Sequence, residues 1–447
     1  MRLTGRRSSD TRTGEPVATR PRRRAWIGVA AAVMALASGW GAATAQAATT
    51  SVFYDDINNL AADPNPFASL TFGAGNIAVG QNMMSSVTSG NHNIGVGFNA
   101  LRVVTTGDQN VAYGENTLAD ITTADGNTAI GSIALQNNVQ DRMTAIGEHA
   151  LFANTTGQGN TAVGSSSLRS NTTGFENTAI GLDALRASTG NYNFAGGYQA
   201  LRNNTDGASN TAAGRQALLN NTSGSQNTAS GTNALLSNTT GGYNQATGYQ
   251  ALLFNTTGMR NIATGGNALL NNTNGGDNVG MGDQALFTNT VGDGNVALGT
   301  SALTALAGGN NNTAVGYYGM SRNTGSRNIA LGNSAGRYLT TGSDNIHIGN
   351  LGVAKEARTI RIGTKGTQTA AYLAGVYGVV PPGTNKTVVV NANGQLGTTT
   401  TAAARSASSD DELAALRAEN RRQGEALRRQ QRELDSLRRE MEALKGR

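Results

Sequence analysis

A glycine returns along this chain at an almost fixed interval. Seventeen glycines, from Gly80, Gly97 and Gly114 to Gly316, Gly332 and Gly349, are spaced 17 residues apart, with three steps of 16. A short strict period of this kind is the signature of a solenoid, in which one unit is stacked on itself many times. Each unit touches only its neighbours, so the architecture grows along one axis and needs no central core. That reading overrides the two or three globular domains that 447 residues would otherwise suggest. An aromatic content of 5% is too low for a large conventional core.

The repeat unit reads Asn-(Thr/Ile/Val)-Ala-x-Gly-x-x-Ala-Leu-x-x-Asn-Thr-Thr-Gly-x-x and runs from Asn76 to Gly349. Thr, Ile and Val ahead of the glycine favour an extended strand. The glycine suits a corner that needs positive φ or close backbone approach, and Gly231 marks such a corner in a central unit. The leucines, from Leu101 and Leu118 to Leu286 and Leu303, can stack into one apolar ladder. The leading asparagines, interrupted only by Met143, can form an amide ladder between coils. The Asn-Thr-Thr-Gly cluster supplies Asx-type turn chemistry. A helical repeat is excluded, because a glycine and such a cluster in every unit would break each helix. Seventeen coils at about 4.8 Å each give a rod of roughly 80 Å. Strand alternation leaves two arrangements. We expect Ala and Leu to fill the lumen, leaving the Thr/Ile/Val face for contact within a trimer; the reverse arrangement stays open.

The ends differ from the repeats. Residues 1–47 read as a signal peptide: Arg22-Arg23-Arg24 precede an apolar run from Ala25 to Trp40, and Ala45-Gln46-Ala47 gives a cleavage site. This segment carries eight Arg against Asp10 and Glu15, a balance of +6 that equals the charge of the whole chain. The remainder is formally neutral and gives no argument for binding nucleic acid or an anionic membrane. Residues 48–75 are expected to cap the stack, since a solenoid must block end-to-end growth. Residues 351–397 form a β-rich neck, with strands at Thr359–Gly363 and Ala371–Val376 and a hairpin with an Asn-Gly turn at Asn393-Gly394. Residues 398–409 are a linker. Residues 410–447 are a coiled coil, with Leu413, Asn420, Leu427, Leu434 and Met441 at a and Leu416, Gln423, Gln430, Leu437 and Leu444 at d. Self-association is expected through Leu413, Leu416, Leu427, Leu434, Leu437 and Leu444. The heptads leave dimer and trimer open.

With the repeat in view, the chain resembles the β-roll heads of trimeric autotransporter adhesins (YadA-like). The longer unit, as in Asn227–Gly241, is similar to bacterial secreted and phage tail-fibre-like proteins. In those, segments like Thr359–Gly363 with Ala374–Gly378, and like Asn393–Gly397, precede a self-cleaving endosialidase-type chaperone domain. Here Gly397 runs into Thr398–Thr401 and the heptads instead, so no self-cleavage residues carry over. The resemblance implies a trimeric extracellular fibre.

Catalytic constellations are not expected. The three histidines, His92, His149 and His347, fall in different repeat slots and read as scattered surface or ladder positions. No phosphate loop, Ser/His/Asp triad or metal-ligand spacing is legible, and no cofactor is expected. Turn aspartates such as Asp277, Asp293 and Asp344 lack the tandem pattern of calcium-binding β-rolls. The absence of cysteine leaves stability to the stacking. The arginines beside the leucine seam do not make a DNA-binding zipper, because the stretch before it holds only Arg405. The expected fold is thus an all-β parallel solenoid with a helical coiled-coil tail. The expected function is a secreted or cell-surface adhesin or structural spacer without catalysis. The alternative is a solenoid that binds a regular surface such as polysaccharide or ice, motivated by ranks of Thr in the turns.

Overall fold

The structure, a computed structural model, describes residues 26–27, 52–55, 58–62, 67–373, 388–398 and 404–445. The chain divides into two compact units, Met1–Ile362 and Gly363–Arg447.

The first unit is a parallel β-solenoid. Nineteen three-residue strands, from Leu60–Ala62 to Ile360–Ile362, pair one after another in register, each contributed by one coil. Thr228, for example, lies between Thr211 and Gln245 on its two neighbours. The ladder therefore continues by one strand beyond the glycine series at either end, into segments the sequence reading assigned to cap and neck. At about 4.8 Å per step it extends roughly 85 Å. The 16-residue units keep the strand register, as in Ala129 beside Ala145. Their missing residue comes out of the turn, where Asn171-Thr172-Thr173-Gly174 is replaced by Ser188-Thr189-Gly190.

The coil Asn227–Tyr243 shows why these residues fold this way. Thr228 and Ser230 point outward and Ala229 inward, as period-two alternation requires. Ala229, Ala234 and Leu235 are fully buried, and their equivalents in the other coils form one continuous apolar column. Ala and Leu therefore fill the lumen. Gly231 turns the corner at φ 134°, and a Cβ there would lie 2.5 Å from the Gly248 carbonyl oxygen of the next coil. Both reasons for a glycine hold at once.

The column leucine adopts the left-handed region, which no residue propensity foretells. Leu235 has φ 52°, as do its equivalents at 49–54° from Leu101 to Leu303. A left-handed leucine costs on the order of 1–2 kcal/mol. The bend it makes turns both Ala234 and Leu235 into the lumen, where burying a leucine side chain returns roughly 1.5–3 kcal/mol.

Two asparagine ladders hold the coils together. In the first, Asn227 Oδ1 accepts the Asn244 backbone N–H at 2.9 Å, and Asn227 N–H donates to Asn210 Oδ1 at 3.0 Å. In the second, built from the first residue of each Asn-Thr-Thr-Gly cluster, Asn238 Nδ2 donates to Asn221 Oδ1 at 2.7 Å and Asn255 Nδ2 to Asn238 Oδ1 at 2.9 Å. The two ladders meet at one acceptor per coil: Gly241 O takes a hydrogen bond from Asn227 Nδ2 and from Asn238 Nδ2, both at 2.9 Å. Sequence reading foresaw the first ladder and read the second as turn chemistry alone. The second ends where Leu306 takes the asparagine slot, which leaves Asn289 Oδ1 buried without a partner.

The ladder also has a built start. Strand Val52–Tyr54 runs antiparallel to Leu60–Ala62, and Trp26–Ile27 pairs antiparallel to it in turn. Reversal of direction stops parallel growth. Asp55 then satisfies the amide donors that no earlier asparagine reaches, taking Asn59 N–H at 2.8 Å and Asn59 Nδ2 at 2.9 Å. Apart from Trp26–Ile27, the signal-peptide reading of residues 1–47 lies outside the described residues.

In the second unit, Val388–Val390 pairs antiparallel with Leu396–Thr398 around Asn391–Gln395, with Gly394 at φ 81°. Of the strand expected at Ala371–Val376, residues 371–373 are not in a strand and the rest lie outside the described residues. The helix runs Ala404–Lys445, so it starts inside the stretch read as linker. Leu416, Leu427, Leu434 and Leu437 are 57–66% exposed in the single chain.

Candidate functional site

Four surfaces carry side chains able to meet a partner: the turn edge, the outward strand face, the C-terminal end of the lumen and the helix seam.

The turn edge is a rank of threonines whose hydroxyls are already engaged. Thr222, Thr239 and Thr256 each donate to the backbone carbonyl of the threonine one coil on, at 3.0 Å. Thr273 donates likewise to the Thr290 carbonyl at 2.9 Å, and Thr290 to the Ala307 carbonyl at 2.8 Å. These hydroxyls lock coil to coil.

The outward strand face behaves differently. Its two columns are the residues on either side of the buried Ala, and none is charged between Ile77 and Ile348. Toward both ends the column that follows the Ala is apolar, with Ile180 46% and Leu331 49% exposed, while the column that precedes it already carries Thr128, Thr144, Thr161 and Thr178. From Thr211 to Thr264 both columns are polar, with Thr211, Thr228, Ser230, Gln245, Thr247 and Thr264 exposed or half-buried and only Ala213 and Ile262 apolar.

The lumen closes on a polar cluster. His347 and Arg361 occupy the slots that Ala fills elsewhere, as the register with Ala330 requires. His347 is fully buried, and its Nε2 lies 2.8 Å from Glu356 Oε1. Arg361 Nε donates to Glu356 Oε2 at 2.7 Å, and Val353 N–H to Oε1 at 2.7 Å. Burial pushes the Glu356 carboxyl up, but the hydrogen bonds from Arg361, Val353 and His347, with the Arg361 charge, outweigh it and hold the group below its usual value. His347 Nδ1 has no partner. The expectation of a scattered surface or ladder position is thus corrected for His347, which faces the lumen because an inward slot holds whatever residue falls there. His92 is exposed at φ 55°, and His149 is half-buried, 3.5 Å from Glu148 Oε1. The three are not brought together.

The turn aspartates are likewise dispersed. Asp277 and Asp344 each hold an arginine of the preceding coil, Arg260 and Arg327, with closest distances of 2.6 Å. The hydrogen bond to each aspartate raises its arginine's pKa. Asp293 accepts the Gly276 N–H at 2.7 Å. Among the described residues no group of three or more His, Cys, Asp or Glu is placed to hold a metal ion. No helix among them is long and apolar enough to cross a membrane. The cluster at His347 was missed from the sequence, although two polar residues in successive Ala slots were the available signal.

Neither the protein-family models, the curated proteins nor the solved structures include a match to this chain.

Proposed function

We propose that the chain is a secreted or cell-surface oligomeric fibre, acting as an adhesin or a structural spacer and not as a catalyst. In this reading the solenoid is the rod and the helix joins copies. The observation that carries it is the helix seam: four leucines at a and d positions are more than half exposed in one chain, and a second or third copy would bury them. Secretion rests on the basic, apolar and Ala-x-Ala segments of residues 1–47, with cleavage near Ala47.

Light scattering on the mature protein tests this. We expect the mass of a dimer or trimer; a monomer at micromolar concentration overturns the assembly. Electron micrographs of the same sample distinguish a rod with a stalk from a compact globule. The alternative, a binder of a regular surface, loses its original motive, because the turn threonines donate into the ladder. Its polysaccharide form finds support elsewhere on the rod.

A further inference from the structure

We propose that the polar waist of the outward strand face is a binding site for a neutral polysaccharide chain. The inference rests on the adhesive-fibre reading and gives it a ligand class.

Phe194 carries the argument first. It stands in the outward column of its strand, 40% exposed, next to Gly196 across the buried Ala195. Gly196 is the only glycine in its column from Val79 to Ile348, where every other coil presents a side chain. Its backbone does not require a glycine, since it is absent from the positive-φ positions. A Cβ at Gly196 would meet Phe194 Cε1 and Cζ at 3.3 Å. The missing side chain therefore lets the phenyl ring lie along the strand face. A flat exposed ring stacks well on the C–H face of a pyranose, because its π face carries partial negative charge.

The second observation is independent. Beside the ring, the next coils present Thr211, Thr228, Ser230, Gln245 and Thr247. Unlike the turn threonines, these side chains make no hydrogen bond to another of the described residues, and each is exposed or half-buried. They repeat at the coil rise of about 4.8 Å, close to one hexose of an extended chain. No charge stands in either column of this face, which selects a neutral ligand over a uronate or a sulfated glycan.

The test uses the mature protein on an array of cello-, manno- and galacto-oligosaccharides, with oligouronates as charged probes. We expect binding to at least one neutral series and none to the uronates. Phe194→Ala and Gly196→Val should each weaken it at least tenfold. The second variant installs the residue that coils at Val79, Val96, Val163 and Val315 already carry, so the fold is kept and only the ring is displaced. Thr228→Val with Ser230→Val should weaken it similarly. Binding of uronates alone, no glycan binding, or neutral binding untouched by Phe194→Ala and Gly196→Val overturns the proposal. Light scattering on the same samples keeps the two readings apart: an oligomer without glycan binding removes this site and leaves the fibre, whereas a glycan-binding monomer removes the fibre.

Discussion

The solenoid and the helix solve the same problem with opposite means. In the solenoid, the ladder asparagines and turn threonines find partners one coil away in the same chain: asparagine to asparagine, threonine hydroxyl to threonine carbonyl. Its apolar column of Ala and Leu is closed from solvent. In the helix, the backbone is satisfied internally but the leucine stripe is not covered. One region completes itself by repetition, while the other is complete only with another molecule. Stability and assembly should therefore separate along the sequence.

The largest effect tests the self-completed side. Gly231→Val forces a branched residue to φ 134° and drives its Cβ into the Gly248 carbonyl. Backbone strain alone accounts for about 1–3 kcal/mol; overlap with a neighbouring backbone raises the expected loss to roughly 3–5 kcal/mol, read by thermal or denaturant unfolding. A neutral result would mean that the corner is not strained.

Asn227→Ala comes next. It removes the acceptor of Asn244 N–H and one of the two donors to Gly241 O, and two disturbed buried groups give an expected loss of about 2–4 kcal/mol. Local exchange of the Asn244 amide should rise with it. If the amide stays protected, the side-chain ladder is not what holds it.

On the other side, Leu427→Glu with Leu434→Glu should abolish self-association in light scattering while the solenoid melts at an unchanged temperature. A drop in the solenoid melt would couple the two regions and break the comparison.

A smaller effect is expected at the C-terminal end of the lumen. The folded Glu356 carboxyl has a depressed pKa, so its contribution is complete above the unfolded value of about 4.3 and is lost as pH falls through the lower folded value. Glu356→Gln should remove that part of the acid-side loss, which paired pH melts would show. The smallest effect, about 0.5 kcal/mol or less, is expected for the exposed Arg428→Ala.

Much of the solenoid was legible because its signals are periodic. The glycine spacing, the leading asparagines and the Ala-Leu pair repeat often enough that one exception, such as Met143, does not hide them. The end segments were harder. Leu60–Ala62 and Ile360–Ile362 join the ladder with only part of the consensus around them, Asn59 and Ala61 in the first and Gly363 in the second, because backbone pairing asks only for an extended strand beside the last coil. The left-handed leucines were illegible, since no propensity places Leu there and only the packed lumen makes the conformation favourable. The second asparagine ladder was hidden by a local reading of the turn, because turn chemistry and coil-to-coil bonding ask for the same residue. The strand face needed three dimensions as well: Gly196 reads as one more glycine until Phe194 is seen beside it.

Hydrogen exchange of the intact chain over a dilution series tests the separation most directly. The account predicts that solenoid amides, Asn227 to Leu235 among them, keep the same protection at every concentration, while helix amides between Leu416 and Leu437 lose theirs as the protein is diluted. Solenoid protection that falls together with the helix, or helix protection that ignores dilution, would contradict it.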